Sequence, residues 1–111
     1  MMKMLFKLNE EKIKADGKTV EEIWAIVESA FVGREHWSEK LADGSVEYSA
    51  PDNEDEGNVF GIALARLAIG MNFIPYCKKW TWTEYDDDGE IFEEDDVYED
   101  VKDGKFGMPD D

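Results

Sequence analysis

Three stretches of the chain alternate between apolar and polar residues, at about 3–8, 36–50 and 76–85. This alternation is typical of strands that bury one face. The middle stretch is interrupted by Asp43 and Gly44, a residue pair that favours a tight hairpin turn. We therefore predict four strands, of which the two middle ones form a hairpin.

The same alternation predicts which side chains face the core. For the first strand, the sequence leaves open whether it ends near residue 8 or pairs with a second strand at 11–15. The side chains expected on buried faces are those of Met4, Phe6, Leu8, Trp37, Leu41, Val46, Tyr48, Tyr76, Trp80 and Trp82.

Two other stretches have the apolar spacing of helices. Thr19 is a good N-cap, and Glu22, three residues later, completes a capping box for a helix over about 20–31. A more apolar helix is predicted over about 57–72. Pro75 ends this second helix, because the residue before a proline disfavours the helical conformation.

The predicted order is therefore β-α-β-β-α-β, which is the ferredoxin-like, split βαβ order of an α+β domain. We expect an antiparallel sheet with both helices on one face. A single compact domain would cover 1–85, and 86–111 would form an acidic extension folded partly onto it. A different α+β topology remains open if residues 3–15 form their own hairpin.

The composition of the chain indicates what class of protein it is. The chain of 111 residues is 42% hydrophobic and has a single cysteine, Cys77, so we expect one apolar core without internal disulfides. The most apolar stretch, 59–74, has sixteen residues and contains Arg66, whereas a bilayer needs about 20. No secretory signal pattern is present near Met1. We expect a soluble protein of the cytoplasm of a bacterial host.

The net charge is the most unusual property of the composition. The net charge is −16, and residues 84–111 alone carry fourteen acids and two lysines. Such a field repels phosphates, which argues against direct binding to nucleic acid and to anionic membranes. It attracts a basic partner.

The acidic stretch EYDDDGEIFEEDDVYEDVKDG also contains apolar residues at structured spacing. Ile91 and Phe92 predict an edge strand after the Asp88-Gly89 turn, and the spacing of later apolar residues predicts a short helix at about 96–103. A purely solvated tail would lack these residues.

The sequence gives weaker support to a calcium site or a catalytic site. Residues 84–95 align with a twelve-residue calcium loop, in which Glu84, Asp86, Asp88 and Asp95 would be ligands, but the first and last positions have the wrong acid. His36 has no recognisable nucleophile or orienting acid beside it in the sequence, and Cys77 has no second cysteine. The sequence predicts no enzyme and no cofactor.

The remaining interpretation is charge mimicry. Duplex DNA has one negative charge per about 1.7 Å of its axis. A folded surface with an acid at most positions approaches that density and would occupy a basic nucleic-acid channel. The predicted partner-binding residues are Tyr85, Asp86, Asp87, Asp88, Glu90, Phe92, Glu93, Glu94, Asp95, Asp96, Tyr98, Glu99 and Asp100.

At class level the chain resembles the small acidic anti-defence proteins of phages and mobile elements, including DNA-mimicking anti-CRISPR proteins. The resemblance depends on size, acidity and the cluster DDDGEIFEEDDVYED, and no residue-level signature accompanies it. It implies an inhibitor that binds a CRISPR effector or similar nuclease. Alternatives are an immunity-type protein that neutralises a basic toxin, and a calcium-binding module.

Overall fold

The computed structural model describes residues 1–33, 35–51, 56–70 and 73–102. A π-helical turn, Arg66–Gly70, continues the third helix, and a 3-10 turn, Ile74–Tyr76, precedes the fourth strand. The strands and α-helices in chain order are β1 (Met2–Leu8), α1 (Glu10–Ala15), α2 (Val20–Ala30), β2 (Trp37–Lys40), β3 (Val46–Ser49), α3 (Glu56–Ala65), β4 (Cys77–Tyr85), β5 (Ile91–Asp96) and α4 (Val97–Lys102).

The five strands form one antiparallel sheet in the order β2-β3-β1-β4-β5. This confirms an α+β domain. The ferredoxin-like β-α-β-β-α-β order is not confirmed, because α1 adds a helix directly after β1 and the strand order of this five-stranded sheet differs. None of the described helices is long and apolar enough to cross a membrane.

The start of α1 explains the first difference. The side chain of Asn9 accepts a hydrogen bond from the N–H of Lys12 (3.2 Å), which satisfies a free donor of the first helical turn. Ile13, which lies on this helix, is buried. Residues 3–15 are therefore one strand followed by one helix, and the hairpin that the sequence left open does not form.

The central strand β1 organises the core. Its alternate residues Met4, Phe6 and Leu8 are buried on the face that the helices cover. Phe6 lies at the centre, with the ring of Trp80 stacked at 5.3 Å and the ring of Tyr48 edge-on at 5.6 Å. Aromatic pairs at these separations stabilise a core beyond the area that they bury.

Helices α2 and α3 close this face. The Thr19 hydroxyl accepts a hydrogen bond from the N–H of Glu22 (3.2 Å), so the predicted cap and helix are confirmed. At the other end of α2, the guanidinium of Arg66 donates to the carbonyls of Ala30 (3.0 Å) and Val32 (3.1 Å). The third helix begins at 56 and its π-helical turn ends at 70, and the predicted end at 71–72 lies outside the described residues.

The predicted hairpin at Asp43 and Gly44 is confirmed. The carboxylate of Asp43 accepts hydrogen bonds from the backbone and hydroxyl of Ser45, and Gly44 has a φ of +88°. The prediction that Trp37 faces the core is wrong, since its side chain is 53% exposed. Trp37 pairs with Ser49 on an edge strand, and this position points away from the helices.

We predict that Phe6→Ala lowers the free energy of unfolding by about 3–5 kcal/mol, because the buried ring leaves a cavity among four aromatic neighbours. Urea denaturation measures this. Phe92→Ala is the matched control, since Phe92 is 71% exposed and its loss should change stability by less than about 0.5 kcal/mol. Equal effects of the two substitutions would contradict this description of the core.

Candidate acidic binding surface

The acidic stretch is part of the sheet. We use the name acidic edge for residues 84–100, which comprise the end of β4, the turn, β5 and the first residues of α4. Strand β5 pairs with β4, so that Glu93 lies opposite Glu84 and Asp95 lies opposite Trp82. All six residues of β5 are exposed. The carboxylates are therefore attached to an ordered backbone.

Because neighbouring residues of a strand point to opposite faces, the acids of β5 form two rows. Glu93 and Asp95 lie on the face of Trp82, and Glu94 and Asp96 lie on the other face. The hydroxyl of Thr83 donates to Glu94 Oε2 (3.0 Å) and fixes one of these carboxylates.

The turn between β4 and β5 is ordered by Asp86. Its carboxylate oxygen Oδ1 accepts hydrogen bonds from the N–H groups of Asp88 (2.9 Å) and Glu90 (3.0 Å). The backbone of Gly89 donates to the carbonyl of Asp86 (3.0 Å) and has a φ of +82°, which glycine adopts without strain. Asp87 and Asp88 are exposed at the tip of this turn.

Helix α4 connects the edge to the core. Asp96 Oδ1 accepts a hydrogen bond from the N–H of Glu99 (3.2 Å), and Val97 is 3% exposed. Tyr98 is half-buried, and the ammonium group of Lys102 lies 5.5 Å from the centre of its ring. Glu99 and Asp100 remain exposed. The helix predicted at about 96–103 is thus present over 97–102, and residues 103–111 lie outside the described residues.

The aromatic residues predicted as anchors differ in exposure. Phe92 is 71% exposed at an irregular position in the β4–β5 register, and its neighbour Ile91 is 59% exposed. Tyr85 is half-buried, exchanges backbone hydrogen bonds with Met1, and has the ammonium group of Lys3 at 5.8 Å from its ring centre. The exposed apolar pair available to a partner is therefore Ile91 and Phe92.

A shallow cleft borders the edge on the face of Trp82. It has a volume of about 230 Å³, and three carboxylates and two apolar side chains line it. The lining residues are Met2, Trp82, Glu84, Glu93 and Asp95. Glu84 and Glu93 are directly opposed across the two strands, an arrangement of like charges that destabilises a sheet.

The alignment with a calcium loop does not correspond to a loop in the structure. Glu84 and Asp95 belong to paired strands, and the Asp86 carboxylate binds backbone N–H groups of its own turn. Asp95 lies opposite Trp82, well along the strand from the turn that contains Asp88. Across the described ranges, no three His, Cys, Asp or Glu residues are grouped closely enough to hold a metal ion.

One arrangement was missed in the sequence. His36 Nε2 lies 2.8 Å from Glu28 Oε1, and the Tyr48 hydroxyl donates to Glu28 Oε2 (2.6 Å). An orienting acid therefore lies beside the histidine, contrary to our expectation. The three residues come from α2, the segment before β2, and β3, so no local spacing signals the contact. The rings of His36 and Phe31 lie 5.2 Å apart, which places the histidine at the margin of the core.

Cys77 is buried. Burial raises the pKa of its thiol to about 12, although a backbone hydrogen bond with Lys79 partly opposes the shift. The thiolate, which is the reactive form of cysteine, is therefore disfavoured at neutral pH.

No family model, curated protein or solved structure matches this chain. No residue role is therefore transferred from a relative.

The Glu28 contacts predict a pH dependence of stability. Burial raises the pKa of the Glu28 carboxyl, but the hydrogen bonds from Tyr48 and His36 outweigh burial and hold that pKa below its ordinary value of 4.5. The stabilisation is thus complete above pH 4.5 and is lost as the pH falls through the lower, folded-state pKa. We expect Tyr48→Phe to lower the free energy of unfolding by about 1 kcal/mol at pH 7, since Glu28 is half-exposed.

Urea denaturation from pH 7 to pH 3 checks this dependence. The difference between the native protein and Tyr48→Phe should shrink over the acidic part of this range. A difference that stays constant down to pH 3 would show that the contribution of the Tyr48 hydroxyl does not depend on the charge of the Glu28 carboxylate.

The turn makes a separate prediction. Asp86→Ala removes the acceptor of two backbone N–H groups and should speed amide hydrogen exchange at Asp88 and Glu90 by about tenfold. Asp86→Asn is the matched control, because it removes the charge and keeps an acceptor oxygen. If both variants exchange equally fast, the charge of Asp86 orders the turn and its hydrogen bonds do not.

Proposed function

We propose that this protein is a non-enzymatic inhibitor that binds the basic nucleic-acid-binding surface of a CRISPR effector or similar nuclease by presenting the acidic edge. The observation that carries the proposal is the placement of four consecutive acids, 93–96, on an ordered strand whose six residues are all exposed. Ordered charge is a shaped ligand, because little conformational entropy remains to be lost on binding.

The spacing of the charges supports mimicry of a nucleic acid. A strand advances about 3.3 Å per residue, so residues 93–96 place one carboxylate per about 3.3 Å of strand when the rows on both faces are counted together, and one per about 6.6 Å within each row. One strand of duplex DNA has one phosphate per about 3.4 Å of axis. The turn acids continue the negative surface at one end, and Glu99 and Asp100 continue it at the other.

The clustered acids repel one another, and this repulsion is unfavourable for the folded protein itself. Glu84 and Glu93 oppose each other directly, and β5 adds three more acids in sequence. Solubility would be served by acids spread over the whole surface, without this mutual repulsion. A positively charged groove would remove the repulsion on binding, which favours a basic partner.

The exposed apolar side chains add specificity. Ile91 and Phe92 lie at the start of the acidic strand. Aromatic side chains of this kind act as desolvated anchors in protein interfaces, and a DNA backbone has no equivalent. Charge would provide fast, salt-sensitive association, and the apolar pair would restrict binding to a partner with a matching pocket.

A set of charge reversals tests the proposal. Asp87→Lys, Glu93→Lys and Asp95→Lys change exposed acids and spare the turn, cap and threonine contacts of Asp86, Asp96 and Glu94. We expect the triple variant to lose at least about 100-fold in its ability to displace labelled DNA from the target, because three favourable charge contacts become repulsive. The assay screens CRISPR effector ribonucleoproteins and other basic nucleases by fluorescence anisotropy.

The matched control reverses Glu21, Glu35 and Glu39, which are exposed outside the acidic edge. Each reversal raises the net charge by two, so both triple variants carry −10 in place of −16. The control should displace DNA nearly as well as the native protein. Equal loss in both variants would attribute the effect to overall charge, and full activity of the first variant would reject the proposal.

A further inference from the structure

The outer side of β5 offers an unpaired backbone edge. Within the described residues, β5 is the last strand of the sheet and pairs with β4 alone. An edge strand of this kind is a template for a further strand. The opposite edge, β2, contains Glu39 and Lys40, and is not uniformly acidic.

The hydrogen-bond pattern identifies which backbone groups point outward. Tyr85 exchanges backbone hydrogen bonds with Met1 on the β1 side, and Asp86 donates to Glu90 on the β5 side. Since the bonding direction alternates along a strand, Glu84 and Trp82 bond toward β5, to their partners Glu93 and Asp95. The N–H and C=O groups of Glu94 therefore face away from the sheet.

The side chains restrict what can pair there. An added strand would place its side chains about 4.5–5.5 Å from those of β5 on both faces. Glu93 and Asp95 would meet the side chains on one face, and Glu94 and Asp96 would meet those on the other. Every position of the added strand would face a carboxylate, so basic residues have to be consecutive. A segment that alternates basic and acidic residues would be repelled on one face.

The cleft beside β5 favours the same partner. The apolar side chains of Met2 and Trp82 line it together with those of Glu84, Glu93 and Asp95. A lysine or arginine side chain from an added strand would have to reach across β5 to this cleft, where it would meet three carboxylates and two apolar side chains. That environment suits a cation with an aliphatic stem.

We propose that the acidic edge binds an extended segment with consecutive basic residues, which adds to β5 as a sixth strand of the sheet. This inference rests on the proposed function and specifies the partner and the mode of binding. Backbone hydrogen bonds to Glu94 would fix the segment along the edge, and the four carboxylates would select its charge. A basic surface that is helical or rigidly folded would then bind less well than an extended arm.

The test uses two peptides and the full-length protein. The probe is a capped eight-residue peptide with four consecutive basic residues flanked by valine and threonine. Its analogue has the same sequence and charge but is N-methylated at the four basic residues. By isothermal titration calorimetry at low salt, we expect the analogue to bind at least about tenfold more weakly, because it cannot donate backbone hydrogen bonds.

A pair of protein variants provides an independent test. Glu94→Pro removes the outward N–H group, and proline is tolerated on an edge strand at such a position. Glu94→Ala removes the same side chain and keeps the N–H group. The proline variant should bind the unmodified peptide at least about fivefold more weakly than the alanine variant, with the fold of both checked by circular dichroism.

Equal binding of the two peptides would overturn strand addition, as would failure of the unmodified peptide to bind the native protein. Equal binding by the two Glu94 variants, if both are folded, would also overturn it. These outcomes leave the proposed function standing as long as the reversal of Asp87, Glu93 and Asp95 abolishes DNA displacement. If that reversal has no effect, the proposed function itself fails.

Discussion

The structure depends on the two-sided pairing of β4. One edge of this strand pairs with β1, where Trp80 lies opposite Phe6 in the aromatic core. Its other edge pairs with β5, where Glu84 and Trp82 lie opposite Glu93 and Asp95. The same nine residues thus connect the most apolar and the most charged parts of the molecule. The core stabilises β4, and β4 in turn keeps mutually repelling carboxylates in register.

Sequence patterns correctly predicted the features that depend on residues close together in the chain. The cap at Thr19 and the turn at Gly44 each depend on residues close together in the chain, and both were predicted correctly. Helix α1 was missed, because the alternation before Asn9 obscured the capping role of that side chain. The exposure of Trp37 was also missed, since it depends on β2 being an edge strand, which only the complete sheet order reveals.

In the candidate site, too, local features were predicted and contacts between distant parts of the chain were not. The spacing of apolar residues after Gly89 predicted a strand and a helix, and the structure contains both. The position of Tyr85 was not predictable, because Tyr85 pairs with Met1, which is 84 residues away in the chain. The contact of His36 with Glu28 likewise joins elements that the fold brings together. The sequence therefore indicates which residues are charged and ordered, and the topology determines which of them a partner can contact.

The charge of an acidic edge strand also determines which other strands can pair with it. Exposed edges are a hazard because two copies of a protein can pair through them. Two copies of β5 would place four carboxylates against four, at separations where like charges destabilise pairing. The same charges attract a strand of opposite sign. Under the proposed function, charges that oppose the pairing of two copies through β5 would also favour a basic partner, and the opposition of Glu84 on β4 to Glu93 on β5 would be a consequence of placing acids along this edge.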